Sequence, residues 1–184
     1  MAQRKLSVTG VERYFDESDV IVSKTDLKGR ITYANDIFRD ISGFSEAELI
    51  GQPHSIIRHP EMPRCVFKLL WDTLASGHEI FAYVLNRSKN GDHYWVLAHV
   101  TPSVNSDGEI FSYHSNRRVP EHAIIENAVV PLYKALLEKE QSYANAKQGM
   151  AASVQMIVDM LAEKNMTYDE FVFSLIMPEL KQAA

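Results

Sequence analysis

The stretch Val20-Ile21-Val22-Ser23-Lys24-Thr25-Asp26-Leu27-Lys28-Gly29-Arg30-Ile31-Thr32-Tyr33-Ala34-Asn35 contains two short β-branched runs joined by a polar turn. Val20-Ile21-Val22 opens a strand, Asp26-Leu27-Lys28-Gly29 turns the chain, and Arg30 to Ala34 returns as a second strand. Asn35 then stands where a helix N-cap belongs, with Ile37, Phe38 and Ile41 at helical spacing and Gly43 as a stop. Ser45-Glu46-Ala47-Glu48 reads as a capping box for another short helix, ended by Gly51.

Outward from there, Pro53, Pro60 and Pro63 keep residues 52–63 from forming one regular element, and Pro63 suits the first position of the next helix. Val66, Phe67, Leu70 and Leu74 give that helix an apolar face. Three strands are expected next. Glu79 to Lys89 leads through Asn90-Gly91 into Asp92 to Val104, and Asn105-Ser106-Asp107-Gly108 turns into Glu109 to Val119. Five strands with helices inserted after the second make an α+β fold. It is a five-stranded antiparallel sheet with short helices on one face, and the natural pocket lies between sheet and helices.

From Glu121 the periodicity changes. Ile125, Val129, Leu132, Leu136 and Tyr143 mark an amphipathic helix running to about Gln148. Gly149 is expected to interrupt it, Val154, Ile157, Val158 and Leu161 to form a second helix, and Thr167-Tyr168-Asp169-Glu170 to cap a third. The expected organisation is an N-terminal cap over 1–17, with a short helix at Val11, Tyr14 and Phe15. A sensor-sized domain over 18–120 and a C-terminal helical extension for dimerisation or output over 121–184 follow.

Composition excludes several function classes. The 184 residues are 46% hydrophobic and carry a net charge of −5 with scattered cations, so no basic stripe for nucleic acid is present. The single cysteine, Cys65, rules out an internal disulfide and a cysteine zinc site. No apolar run suits membrane insertion or a signal peptide, so a cytoplasmic location is expected. None of the seven histidines forms a helical pair or a His-Glu-x-x-His unit, so no metal site is expected. No Ser–His–Asp order or phosphate-cradling glycine loop supports catalysis, and the chain is not expected to be an enzyme.

Three further segments join Asp26–Asn35 in a family likeness. They are Gly51-Gln52-Pro53-His54, Arg58-His59-Pro60-Glu61-Met62-Pro63, and Asn86-Arg87-Ser88-Lys89-Asn90-Gly91-Asp92-His93-Tyr94-Trp95-Val96. Together they resemble the PAS domain of bacterial aerotaxis receptors. The resemblance implies a PAS fold, FAD as cofactor, and signalling of redox or oxygen state to a downstream protein. Relatives of this type also hold haem b and sense gas, or hold nothing and serve as interaction modules. One departure stands out. Flavin-binding members have Pro-Trp-Ser-Gly shortly before the Asn-Arg pair, where this chain has Glu79-Ile80-Phe81-Ala82-Tyr83, so the tryptophan position falls on Ile80.

Strand alternation assigns Ile80, Ala82, Val84 and Asn86, then Tyr94, Val96, Ala98 and Val100, then Tyr113, Ser115 and Arg117, to single faces. The resemblance makes these the pocket face. Val84, Val96, Ala98 and Ser115 are then wall residues, and Asn86 pairs with the pyrimidine edge of a flavin. Arg58 is expected to meet a pyrophosphate, Glu61 to answer Arg58, and His59 to orient Arg58, bond the cofactor or ligate iron. Asn35 is expected to cap its helix and also contact the ligand. The opposite face, with Phe81, Tyr83, Leu85, Trp95 and Leu97, is apolar and needs a cover. The N-terminal segment, the C-terminal helices or a second subunit of a homodimer can supply it.

Overall fold

The computed structural model describes residues 7–177. Residues 1–6 of the expected cap and 178–184 of the expected extension lie outside the described residues. Five strands form one antiparallel sheet in the order β2-β1-β5-β4-β3. They are β1 (Ile21–Thr25), β2 (Ile31–Ala34), β3 (Ile80–Arg87), β4 (His93–Val104) and β5 (Ile110–Arg118). Between β2 and β3 lie α1 (Asp36–Ser42), α2 (Glu46–Leu49), a 3-10 turn (His54–Ile57) and α3 (Arg64–Ala75).

Asn35 holds the start of this insert. Its Oδ1 accepts the Phe38 N–H at 3.1 Å and the Val22 N–H at 2.9 Å, while Nδ2 donates to the Val20 carbonyl at 2.8 Å. One amide therefore caps α1 and ties it to β1. Phe38, Ile21, Ile31, Leu49 and Leu74 are sealed between insert and sheet, each such side chain worth roughly 1.5–3 kcal/mol of transfer. The Asp26–Gly29 turn needs its glycine. Gly29 has φ +73°, and a Cβ there would stand 3.2 Å from the Trp71 ring.

The N-terminal segment is extended and does not form the expected helix. Glu12 bridges to His93 in parallel, Arg13 donates its N–H to the His93 carbonyl at 2.7 Å, and His93 donates to the Val11 carbonyl at 2.9 Å. The reason lies in the sheet. β5 pairs with β4 only as far as Leu97, leaving backbone groups at His93 to be satisfied from elsewhere.

The C-terminal run departs from the expected single helix. α4 (His122–Ile124) passes through a π turn (Ile125–Val129) into α5 (Val130–Gln141), and Pro131, which has no N–H to donate back, sits at that junction. Asn145 then caps α6 (Ala146–Glu163), accepting the N–H groups of Lys147 at 2.9 Å and Gln148 at 3.1 Å. Gly149 does not interrupt. It is buried inside α6 where that helix crosses α5, and a Cβ there would run into the Glu140 carbonyl. α7 (Tyr168–Ile176) starts with the expected capping box, the Thr167 N–H donating to Glu170 at 2.7 Å.

These helices supply the cover that the outer face needs. Tyr133 of α5 donates its hydroxyl to the Tyr83 carbonyl at 2.5 Å and lies 6.1 Å from the Trp95 ring, and Phe173 of α7 meets Phe81 edge-on at 4.9 Å. They also shield the β3 edge, which an exposed sheet would leave open to pairing. The apolar outer face that prompted the expectation of a second subunit is thus covered within one chain.

Candidate ligand-binding site

A cavity of about 420 Å³ lies between the inner face of the sheet and the helical insert. Pairing of Ser23 with Ser115, Val100 with Ser115, and Ala98 with Arg117 brings inward-facing residues of three adjacent strands into one wall. That wall holds Ser23, Thr25, Val84, Asn86, Ala98, Val100, Tyr113, Ser115 and Arg117. Facing it are His54, Ile57, Phe67, Leu70 and Trp71, with Met150 of α6 closing part of the mouth. The size falls within the roughly 300–1,000 Å³ of small-molecule sites.

The polar chemistry of the cavity is unusual. Lys28, Arg58, Arg64, Lys68 and Arg117 all line it, and among the described residues no carboxylate does. On a chain of net charge −5 this is a local reversal of sign. Lys68 pairs with Asp72 and Arg64 with Glu140 outside the cavity. Arg58 has a weak bond to the Met62 carbonyl at 3.3 Å and lies over the Phe67 ring at 4.5 Å. Burial lowers its pKa.

Arg117 is 2% exposed, bonds the Ser23 hydroxyl, and sits 4.6 Å over the Phe38 ring. Among the described residues its Nε and Nη1 are buried without a partner, and so are Asn86 Nδ2, Thr25 Oγ1 and the Tyr94 hydroxyl. Buried polar groups are nearly always paired, so a cluster of orphans beside a cavity calls for a ligand or water that satisfies them. Burial drives the Arg117 guanidinium down to about 10. His54 Nε2 lies 3.2 Å from the same Ser23 hydroxyl. Desolvation, with the nearby Arg117 charge second, pushes His54 down to about 3, so the imidazole is neutral at physiological pH.

The structure separates the expected site residues. Val84, Asn86, Ala98, Ser115 and Arg58 line the cavity, and the backbone of Arg58 bridges to Asn86. Four others do not. Val96 is fully buried in the core beyond the wall. Asn35 does not line the cavity, its amide being tied to the α1 cap and β1 by three hydrogen bonds. His59 accepts the Glu61 N–H on Nδ1 at 3.2 Å and packs edge-on to His93 at 5.8 Å, away from the cavity, because the Pro60 turn folds the loop back on itself. Glu61 is exposed and forms no ion pair with Arg58.

Conversely, Ser23, Thr25, His54, Phe67, Trp71 and Met150 line the site and were not singled out as binding residues. Ser23 and Thr25 share the Ile21 face by strand alternation, and Trp71 lies one turn beyond Phe67 on α3, so both were within reach of periodicity. Trp71 meets Tyr113 edge-on at 5.6 Å and supplies an aromatic ring to the cavity from a different element than the missing tryptophan at Ile80. Cys65 is fully buried, and burial pushes its thiol up to about 11, so it is an inert packing residue. Among the described residues no group of His, Cys, Asp or Glu is arranged for a metal, and no helix is long and apolar enough to cross a membrane.

A flavin fits this donor set. Val84, Ala98, Val100 and the Trp71 ring offer apolar contact for a flat ring system, and the orphaned Asn86 and Arg117 N–H groups are donors that its polar edge would satisfy. The comparisons with known proteins bear on the fold. Residues 31–116 match the PAS fold family. The chain is 47% identical to the aerotaxis receptor of Escherichia coli over 121 residues, 65% of this chain and 23% of that protein. It is 30% identical to the nitrogen fixation regulatory protein of Klebsiella pneumoniae over 103 residues, 56% of this chain and 21% of that protein. The chain therefore spans about a fifth of the length of these curated relatives. The light-state structure of the blue-light photoreceptor Aureochrome1 LOV superposes with a TM-score of 0.50 at 26% identity, covering 67% of this chain and 91% of that one. Sheet order, helical insert and relatives agree that this chain has the PAS fold and is similar over that region to the bacterial aerotaxis receptor.

Proposed function

We propose that the chain is a sensory module that holds FAD in this cavity and reports its redox state to a protein partner. The observation that supports it best is the cation-lined, carboxylate-free cavity with orphaned Asn86 and Arg117 donors. A phosphate-bearing ligand with hydrogen-bond acceptors along one edge meets both needs. Bound flavin would supply a ring whose polar edge changes charge and protonation with oxidation state. The chain's own residues would bind and report. Arg58 would pair with phosphate at the mouth, Asn86 and Arg117 would hold the polar edge, and Trp71 would exclude water.

The response has a short path outward. α3 lines the cavity through Phe67 and Trp71, and its first turn is held by Glu140 of α5. The buried carboxylate accepts the Cys65 N–H at 2.8 Å, the Ser153 hydroxyl at 3.1 Å and Arg64 Nε at 3.2 Å. The helical extension would thus feel any shift of α3 and present it to a downstream protein in the cytoplasm. We also infer a homodimer, which rests on the exposed Val130 and Val158 of the helical extension and not on the covered sheet face. Light scattering that returns the 20.9 kDa monomer at all concentrations would refute it.

The deciding experiment is an absorption spectrum of protein purified without added cofactor. Two broad flavin bands support FAD. A sharp Soret band would replace it with haem b, for which His54 is the imidazole in the wall. A colourless protein from which no cofactor can be extracted would make the chain an interaction module.

A further inference from the structure

A second cleft of about 340 Å³ opens beside the first, and Arg58 and Arg64 line both. Pro60 and Met62 add to that side, and the opposite wall comes from the extension: Leu137 and Glu140 of α5, and Tyr143 and Ala146 at the turn into α6. Tyr143 is 40% exposed, with Lys139 Nζ 5.8 Å from its ring centroid. Glu140 does not make the cleft acidic. It is 3% exposed, one oxygen takes the Cys65 N–H and Ser153 hydroxyl, and the other faces Arg64.

We propose that this cleft is the subsite for the adenosine-diphosphate half of a flavin dinucleotide, so that the extension, through Tyr143, makes the chain select FAD over FMN. This rests on the flavin reading above. A cavity of about 420 Å³ sits near the lower end of the range for small-molecule sites, and a dinucleotide that fills it with its ring must send its second half elsewhere. The two arginines line both spaces, so a diphosphate passing from one to the other would meet them. Among the described residues Arg58 keeps Nε and Nη1 clear of partners, and Arg64 bonds from Nε to Glu140 and from Nη2 to the Ala146 carbonyl at 3.1 Å. Beyond the arginines, the Tyr143 ring and Leu137 offer the aromatic face and apolar floor on which a purine stacks.

The test titrates ligand-free full chain with riboflavin, FMN and FAD. FAD should bind at least about tenfold more tightly than FMN. Tyr143→Ala should weaken FAD by about 5- to 100-fold while leaving FMN unchanged, as expected for loss of one stacked base. Ala144→Trp, which obstructs the cleft from an exposed position, should do the same, and ADP should compete with FAD but not with riboflavin. Equal affinity for FAD and FMN would overturn the subsite and leave the flavin site standing, as would equal loss of both in Tyr143→Ala. If none of the three flavins binds, the flavin site falls and the subsite with it.

Discussion

Replacing Arg117 by methionine should make the ligand-free protein more stable and the flavin complex weaker. The guanidinium is 2% exposed, and burial lowers its pKa from 12.5 to about 10. A base whose folded pKa lies below its unfolded one destabilises the fold at every pH where it stays charged. At 1.36 kcal/mol per pH unit the interval corresponds to about 3 kcal/mol, fully present below pH 10 and fading as pH rises towards 12.5. Against this stand the contact over Phe38, about 1–2 kcal/mol, and the bond to Ser23. Methionine retains the contact with Phe38, and Ser23 retains His54 as a neighbour at 3.2 Å.

The net gain for Arg117→Met is then about 1–2 kcal/mol, in line with buried charges replaced by apolar groups. For a chain of this size that raises Tm by about 2–8 °C. Flavin should bind about 10- to 150-fold more weakly, because hydrogen bonds from a charged donor are worth about 1.5–3 kcal/mol. Thermal unfolding of ligand-free protein and flavin titration measure the two quantities. A variant that melts lower than the parent and binds flavin equally well would refute the reasoning, since Arg117 would then be satisfied by the fold alone.

Asn86→Ala should lower flavin affinity about 5- to 150-fold, the cost of about 1–3 kcal/mol for an unpaired ring edge, with circular dichroism unchanged. Full flavin occupancy in that variant would remove Asn86 from the site. The His54 pKa, depressed from 6.5 to about 3, means stability is complete above pH 6.5 and is lost as pH falls towards 3, by at most about 4–5 kcal/mol. His54→Gln should flatten that share of the acid limb, and identical pH slopes in urea titrations would show that His54 is not responsible. Gly149→Ala should destabilise by about 1–3 kcal/mol through collision with the Glu140 carbonyl, although alanine favours an isolated helix. An unchanged urea midpoint would mean that α5 and α6 separate freely.

Much of the fold was legible because it rests on local signals. The Asn35 cap, the Ser45 and Thr167 boxes and the alternation along β3, β4 and β5 each involve residues within a few positions of one another. Alternation also put Val84, Asn86, Ala98 and Ser115 on shared strand faces, since side-chain direction in a strand follows from position alone, and the family resemblance made those faces the cavity wall. The helix expected near Tyr14 failed for the opposite reason. That segment's backbone is claimed by His93, a partner about eighty residues away whose free edge exists only because β5 stops early.

Loop residues were the least legible part of the site. Arg58 and His59 are adjacent in a proline-bounded turn, and nothing local says which side chain faces the cavity. The fold sends Arg58 over Phe67 and His59 towards His93. Gly149 shows the same limit from another side. A glycine within a helical period lowers local propensity, and only the crossing with α5 turns it into a packing requirement. That crossing positions Ser153 to bond Glu140, and Glu140 in turn holds the first turn of α3. The helix that carries Trp71 into the cavity is therefore fixed at one end by the extension. Cavity and extension thus both bear on α3, the element through which the proposed signal would pass.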